Sequence, residues 1–481
     1  MSEVDRRAFL AGAAGVVLSA CGAETHTVAS TLHRAAAPRP RATVPATLRQ
    51  AIRGQVKERA QAGFASWAHV YNPLFDGIQP QQVARPLDGR DVRDAIRWAV
   101  AKGVRVRARS GGHSYAGYST ASEGVVLDLR RLNYIHVDNG TKAATIGAGA
   151  HLIDVYSKLA TAGATIPAGS CPTVGIGGHA LGGGMGLAGR AFGLASDHIV
   201  GARIVTADGR LQDADPDLLW ALRGGGGGNF GVVTELKMRL QKLPRSAAHF
   251  NVSWPWSAAT EAIAAWQAWA PHATDKVTSI LHVNGSRSIS ASGQYLGSEA
   301  DLPRLLRSLL AVPGAQLSSG SLPYLALQLY WAGCAGLSPA ACTSPRNIFT
   351  AKSDYVAKPL SAAGRAAMVA AAEAAGGSGD LLCDCYGGAI NRVAPAATAF
   401  VHRRQLFCIQ YYGTTASTTW VDQAWSKMRP YVSGMAYQNY IDRDLSGWQQ
   451  AYYGKNYARL LATRRQVDPH GFFTFPQAIG R

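Results

Sequence analysis

No two histidines or cysteines in this chain stand at the close spacing that usually holds a metal ion. Its 13 His and 7 Cys contain no Cys-x-x-Cys and no His-x-x-x-His, so a zinc-ribbon or metallohydrolase reading has nothing to rest on. A Gly-x-Ser-x-Gly elbow is also missing, and with it the usual signature of a serine hydrolase. Charge is sparse at 16% of residues and acid is the scarcer kind, 30 Asp and Glu against 48 Lys and Arg, for a net charge of +18. The basic surplus is scattered through every segment without a nucleic-acid module, so no nucleic-acid partner is expected. No apolar run reaches the ~20 residues that span a bilayer. What the chain has in quantity is glycine, 53 of 481 residues, and length enough for two or three buried cores.

The N-terminus reads as an address. Arg6 and Arg7 precede 13 uncharged residues, Ala8 to Ala20, and then Cys21. This is the layout of a cleaved signal, and it resembles a twin-arginine export signal. Leu18-Ser19-Ala20-Cys21 resembles a bacterial lipoprotein cleavage site, so residues 1–21 are expected to be removed or to leave Cys21 as a lipid anchor. The expected location is extracellular or membrane-tethered. Residues 22–44 read as an extended tether. An exported chain permits disulfides, and Cys334 and Cys342, flanking a short loop, are the expected pair. Cys383 and Cys385 lie two apart in an apparent strand and point the same way, a poor geometry for bridging each other. One of them could pair with Cys408.

Residues 45–243 alternate short strands and helices. DGRDVRDAIRWAVAKG places Val92, Ala95, Ile96, Ala99 and Val100 at helical spacing and stops at Gly103. VRVRAR then alternates with period two and leads into RSGGHS. Residues 244–435 interleave longer helices with strands, which predicts an open antiparallel sheet covered by helices on one face. The fold class is therefore α+β. YLALQLYW and FCIQYYG both read as strands, with Gln328, Tyr330, Gln410 and Tyr412 on polar faces that could roof a ligand site.

Two glycine-rich loops each carry one reactive side chain, His113 in RSGGHSYAGYS and Cys171 in GSCPTVGIGGHALGGG. Consecutive small residues let backbone N–H groups converge on an anion. Gly175, Gly177 and Ala180 fit a dinucleotide fingerprint, with Asp197 near the ribose-binding distance, but the preceding PAGSCPTV is no buried strand, which argues against that reading.

With 57 residues between His113 and Cys171, the two loops resemble those of the berberine-bridge-enzyme-like flavoproteins of the vanillyl-alcohol-oxidase superfamily, and YYGKNYARLLATRRQVDPHGFFTFPQAI resembles that family's closing segment. The resemblance implies a PCMH-type FAD-binding domain over 45–243, a substrate domain over 244–435 and a C-terminal segment, 436–481, that returns to the first. It implies bicovalent FAD, held from His113 to the flavin 8α-methyl and from Cys171 to flavin C6. The implied cofactor contacts are Arg109, Ser110, Gly111, Gly112, His113 and Ser114 in the first loop. Ser170, Cys171, Val174, Gly177, Gly178, His179 and Gly182 follow in the second, with Asn439 and Asn456 from the C-terminal segment. Tyr440 is the implied base. A phenol with pKa near ~10 needs donors or positive charge to serve as one, and Arg392 and Arg443 are candidates for that role.

Arg392 stands where plant relatives that use a glutamate base carry it, shortly after paired glycines matching Gly387 and Gly388, which favours a tyrosine-based alcohol oxidation. Val174 matches a position where valine accompanies oxygen access, implying an oxidase that releases hydrogen peroxide. The expected reaction is oxidation of an alcohol, foremost a carbohydrate anomeric hydroxyl to a lactone. Oxidation of a secondary metabolite and a non-catalytic flavin-fold binding protein are the alternatives.

Overall fold

The computed structural model describes residues 44–481. The signal, the tether up to residue 43 and Cys21 lie outside the described residues. Among the described residues, no helix is long and apolar enough to cross a membrane.

The first sheet takes β1 (Gln55–Glu58), β2 (Gln82–Arg85), β3 (Val106–Arg109) and β4 (Val125–Asp128) in the order β1-β2-β4-β3. β4 runs parallel to both β2 and β3. The crossover from β2 to β3 is α1 (Gly89–Lys102). Asp88 caps it by accepting from the Arg90 and Asp91 N–H groups at 2.8 and 3.1 Å, and Gly103, at φ +65°, ends it. Parallel strands put the C-terminal end of β3 at a loop, and RSGGHS is that loop.

The second sheet is antiparallel and contains β5 (Ile135–Asp138), β6 (Ala143–Gly147), β7 (Ile199–Val205), β8 (Leu211–Asp213) and β9 (Val232–Arg239) in the order β5-β6-β9-β7-β8. Between β6 and β7 lie α2 (Leu152–Thr161) and α3 (Ile176–Leu181). Both sheets share one core that also takes in Tyr452, Tyr453, Leu460, Phe473 and Ile479 of the C-terminal segment.

The third sheet has seven antiparallel strands. They are β10 (Ser246–Trp254), β11 (Val277–Asn284), β12 (Ser288–Tyr295), β13 (Gln316–Pro323), β14 (Thr350–Val356), β15 (Gly379–Cys385) and β16 (Phe407–Gly413), ordered β13-β10-β12-β11-β15-β16-β14. Helices α4 (Ala259–Trp269), α6 (Ala362–Glu373) and α7 (Thr419–Met428) cover one face through Trp266, Met368 and Val421, packed over Leu281, Leu381 and Ile409. The expected α+β architecture with an open, one-sided sheet is what the chain adopts.

One element differs from the sequence expectation. YLALQLYW is a helix, α5 (Tyr324–Trp331), and not a strand. Its buried residues are Tyr324, Leu327 and Gln328, an i, i+3, i+4 set, together with Leu329. A short run with two overlapping periods is ambiguous, and leucine favours the helix once Pro323 closes the preceding strand.

Cys334 and Cys342 form the expected disulfide, whereas Cys383, Cys385 and Cys408 are all free and buried. Cys383 and Cys385 face the helices, while Cys408 joins a cluster with Tyr355, Tyr386 and Tyr437 on the opposite face. A two-residue period therefore separates Cys408 from both.

The two cores are joined by a buried ion pair. Arg403, fully buried, donates through its two terminal nitrogens to Asp197, at 2.9 and 2.6 Å. Asp197, weighed as a ribose ligand, is thus committed to structure. Asp197→Ala would strand the guanidinium without its partner and is expected to cost about 3–5 kcal/mol, read as a lower midpoint in chemical denaturation.

Candidate functional site

The two glycine loops meet backbone to backbone. A Cβ on Gly111 would overlap the backbone nitrogen of Gly175, and one on Gly175 would overlap Ser110 Oγ and Gly111 N. Ser110 Oγ donates to the Ala148 carbonyl at 2.6 Å. The first turn of α2 holds the second loop, Leu152 N–H donating to Val174 O (2.9 Å) and Ile153 N–H to Pro172 O (3.2 Å). His113 Nε2 lies 3.0 Å from Thr173 Oγ1, and the Tyr71 ring stacks on the imidazole at 3.9 Å between centroids.

Burial lowers His113 to about 3, helped by His151 nearby, so the imidazole is neutral at physiological pH and keeps a nucleophilic lone pair. Burial raises the Cys171 thiol. His179 is lowered by burial to about 4 and accepts the Gly169 N–H at Nε2, at 2.9 Å, which shapes the backbone just before Cys171.

Both loops line one cavity of about 530 Å³. Its walls include Ser110 to Ser114, Ser170, Cys171, Val174, Gly177, Gly178 and His179, and on another side Gly226, Gly227 and Gly228. A Cβ on Gly178 would meet nothing within 4 Å, and one on Gly227 would meet first the Gly178 Cα at 3.9 Å. Bare backbone from two segments thus faces open space, a slot suited to a flat aromatic group.

Arg107, which the sequence did not single out, also lines the cavity, and among the described residues its guanidinium makes one hydrogen bond, to the Val106 carbonyl at 3.3 Å. Burial, with Arg105 and Arg481 nearby, pushes Arg107 down to about 10, so it stays cationic. A planar slot, a run of small residues, a free cation, a neutral imidazole and a thiol together fit an isoalloxazine ring carrying a diphosphate.

Several expected residues lie elsewhere. Arg109 is buried away from the cavity, donating to the Ala68 carbonyl at 3.0 Å and to Asp128 at 3.1 Å. It anchors the start of the first loop. Asn456 donates to the carbonyls of Pro395, Thr398 and Ala399, so its amide is consumed in holding the C-terminal segment to the loop ahead of β16. Gly182 is outside the lining because Asn439 packs on it, where a Cβ would overlap Asn439 Oδ1. Asn439 does line the cavity and donates to the His179 carbonyl at 3.0 Å.

The helical form of α5 removes Gln328 and Tyr330. Gln328 is buried and donates to Gln294 at 3.4 Å, while Tyr330 is exposed and stacks on His249. Arg392 pairs with Asp275 at the surface, and Arg443 lies beside Asp444, so neither touches Tyr440.

The uncovered face of the third sheet closes the cavity with Thr278, Ile280, Leu382, Asp384, Gln410 and Tyr412. Tyr440 donates its hydroxyl hydrogen to Asp384 Oδ2 at 2.9 Å. Gln410 Nε2 donates to the Tyr115 hydroxyl at 2.9 Å, fixing Tyr115 in a stack on Tyr440 at 5.3 Å. Burial raises Asp384 to about 6, an effect reduced by the Tyr440 hydrogen bond. Burial and the neighbouring carboxylate together hold Tyr440 well above the usual phenol range. The group beside Tyr440 is therefore a carboxylate and not an arginine. A lone Asp between two cysteines in a strand offered no sequence signal beyond the outward parity of its position.

The match to known proteins follows the same division. A family model described as an FAD binding domain matches residues 80–215, and one described as berberine and berberine like matches residues 436–480. The FAD-linked oxidoreductase YvdP of Bacillus subtilis is 32% identical over 449 residues, 89% of this chain and 98% of that one. Among solved structures, Physcomitrella patens BBE-like 1 superposes with a TM-score of 0.86 at 32% identity, over 90% of this chain and 99% of that one. A chitooligosaccharide oxidase superposes with a TM-score of 0.82 at 26% identity, over 90% of this chain and 98% of that one.

Because Gly175 leaves no room for a side chain against Ser110 and Gly111, Gly175→Ala is expected to force the loops apart. The purified variant should show a lower ratio of flavin to protein absorbance, with far-ultraviolet circular dichroism unchanged.

Proposed function

The chain belongs to the berberine-bridge-enzyme-like family of FAD-dependent oxidoreductases, and from that premise we propose that it oxidises a carbohydrate hydroxyl, foremost the anomeric one, to a lactone. The reading is carried by one observation, the Tyr440 hydroxyl donating to a buried Asp384 inside the cavity that both glycine loops line. FAD, when bound, supplies the acceptor for the two electrons and the carbon-bound hydrogen of the alcohol. The residues that would hold it are the backbone of Ser110 to Ser114 and Gly177 to Gly178, the Arg107 cation, and two covalent tethers, His113 and Cys171.

The protein's own part is the proton. Tyr440 accepts the substrate's hydroxyl proton as it passes its own to Asp384 Oδ2, so no free phenolate is needed in the buried site. Asp384 can accept only when ionised. Its pKa of about 6 places the carboxylate in the accepting form at neutral pH and close enough to that pH to return the proton afterwards. The Gln410–Tyr115 bond keeps the stacking ring in place beside Tyr440. Val174, lining the same cavity, supports an oxidase that passes electrons to O2 and releases hydrogen peroxide. The N-terminal sequence supports an exported enzyme, with Cys21 as a lipid anchor.

Peroxide release from purified protein offered a panel of mono- and oligosaccharides tests the reaction, and no turnover on any sugar would overturn the substrate class. Tyr440→Phe and Asp384→Asn are each expected to lower kcat/KM by about 100-fold or more. In the native enzyme kcat/KM should fall about tenfold per pH unit below about 6, as Asp384 takes up its proton, and Asp384→Asn should lose that limb. Acid precipitation should leave flavin in the pellet, and only the His113→Ala, Cys171→Ala double variant should release all of it.

A further inference from the structure

The disulfide lies at the C-terminal end of α5 and packs with Leu329 against Ile153 of α2, the helix whose first turn holds the Cys171 loop. From Cys342 the chain then passes behind Tyr71 and Cys171 and reaches the cavity wall at Phe349. Ser344 Oγ lies 3.1 Å from the Tyr71 hydroxyl and 4.0 Å from Cys171 Sγ. Arg346 donates to the Val70 carbonyl at 2.8 Å and pairs with Asp76. Asn72 donates to the Phe349 carbonyl at 2.8 Å. One eight-residue stretch, 342–349, thus bears on Tyr71 above His113 and on Cys171, and is pinned at Asn72. The third sheet resumes directly at Thr350.

Phe349 is the residue this arrangement delivers. Its ring lines the cavity, stacks on Tyr412 at 5.2 Å with 17° between planes, and meets Tyr115 edge-on at 4.7 Å. Tyr115 is the ring stacked on Tyr440. An aromatic wall therefore runs from the Tyr440–Asp384 pair through Tyr115 to Phe349 and Tyr412. The C–H face of a ring substrate held at Tyr440 would pack along it.

We propose that Phe349 is a specificity-determining residue of the alcohol site, and that residues Cys342 to Phe349 form a strap whose anchoring by the disulfide sets its position. The inference rests on an alcohol being oxidised at Tyr440, but not on that alcohol being a sugar. Neither Phe349 nor the disulfide is assigned a proton, so truncating them weakens ground-state and transition-state binding alike. The effect then falls on KM and leaves kcat in place.

The test compares Phe349→Ala, Phe349→Trp and the double variant C334S/C342S on whichever alcohol the native holoenzyme oxidises, with acid-stable flavin content measured in each. Phe349→Ala should raise KM by about three- to tenfold, the range of a lost aromatic contact, with kcat within about twofold. Phe349→Trp should restore KM, which a merely structural role would not predict after loss of the smaller ring. The double variant should raise KM in the same direction, and hydrogen exchange should quicken at 343–349 and at 171–174.

An unchanged KM in Phe349→Ala would overturn the specificity role, as would kcat and flavin content falling together. Exchange that quickens only within 335–341 would overturn the strap. Turnover of non-sugar alcohols alone would sink the carbohydrate reading and leave these comparisons intact, and a native protein that oxidises no alcohol would overturn the specificity role together with the reaction it serves.

Discussion

The structure turns on the contact between Gly111 and Gly175. Two loops that start 60 residues apart in sequence are pressed together so closely that neither glycine tolerates a Cβ, and only that approach puts His113 and Cys171 on one cavity. Everything around the contact serves to hold it. Arg109 is spent on Asp128 and the carbonyls before the first loop, α2 hydrogen-bonds the second, and Thr173 reaches across to His113. A residue that looks like a ligand contact in the motif is, physically, the anchor of the motif.

That distinction explains which parts of the site were legible in the sequence. The loops announced themselves because glycine runs of that kind have few uses other than turns and close backbone approach. The helix at Gly89–Lys102, with its cap and glycine stop, and the Cys334–Cys342 pair were legible for equally local reasons. Gln328 and Tyr330 were misplaced because a short run of leucines interleaved with Gln and Tyr satisfies a two-residue period and nearly satisfies a helical one. Arg107, Asp384, Tyr115 and Phe349 carried no local signal, since their importance comes from strands and loops far apart in sequence meeting around one space.

Electrostatics in the cavity is governed by desolvation more than by paired charge. The low basicity of His113 and His179 and the raised Asp384, Cys171 and Tyr440 all have burial as their leading cause. Expecting an arginine beside Tyr440 assumed that the tyrosine must be kept as an anion. The structure gives it a carboxylate neighbour instead, which disfavours the anion but offers a destination for the proton. A phenol that hands its hydrogen on as it receives another avoids standing charge in a low-dielectric space.

The placement of that pair follows from sheet parity. Along β15, Leu381, Cys383 and Cys385 enter the helix-covered core, so Leu382 and Asp384 must face the cavity. The same holds on β16, where Phe407, Ile409 and Tyr411 are core and Gln410 and Tyr412 face the site. A shift of one residue in the pairing of either strand would exchange the two sets, burying a carboxylate among leucines and exposing the core residues to the cavity. The hydrophobic core of the third sheet and the chemistry on its other face are consequently specified by one register, and the apolar side chains that never touch a ligand fix where Asp384 meets Tyr440.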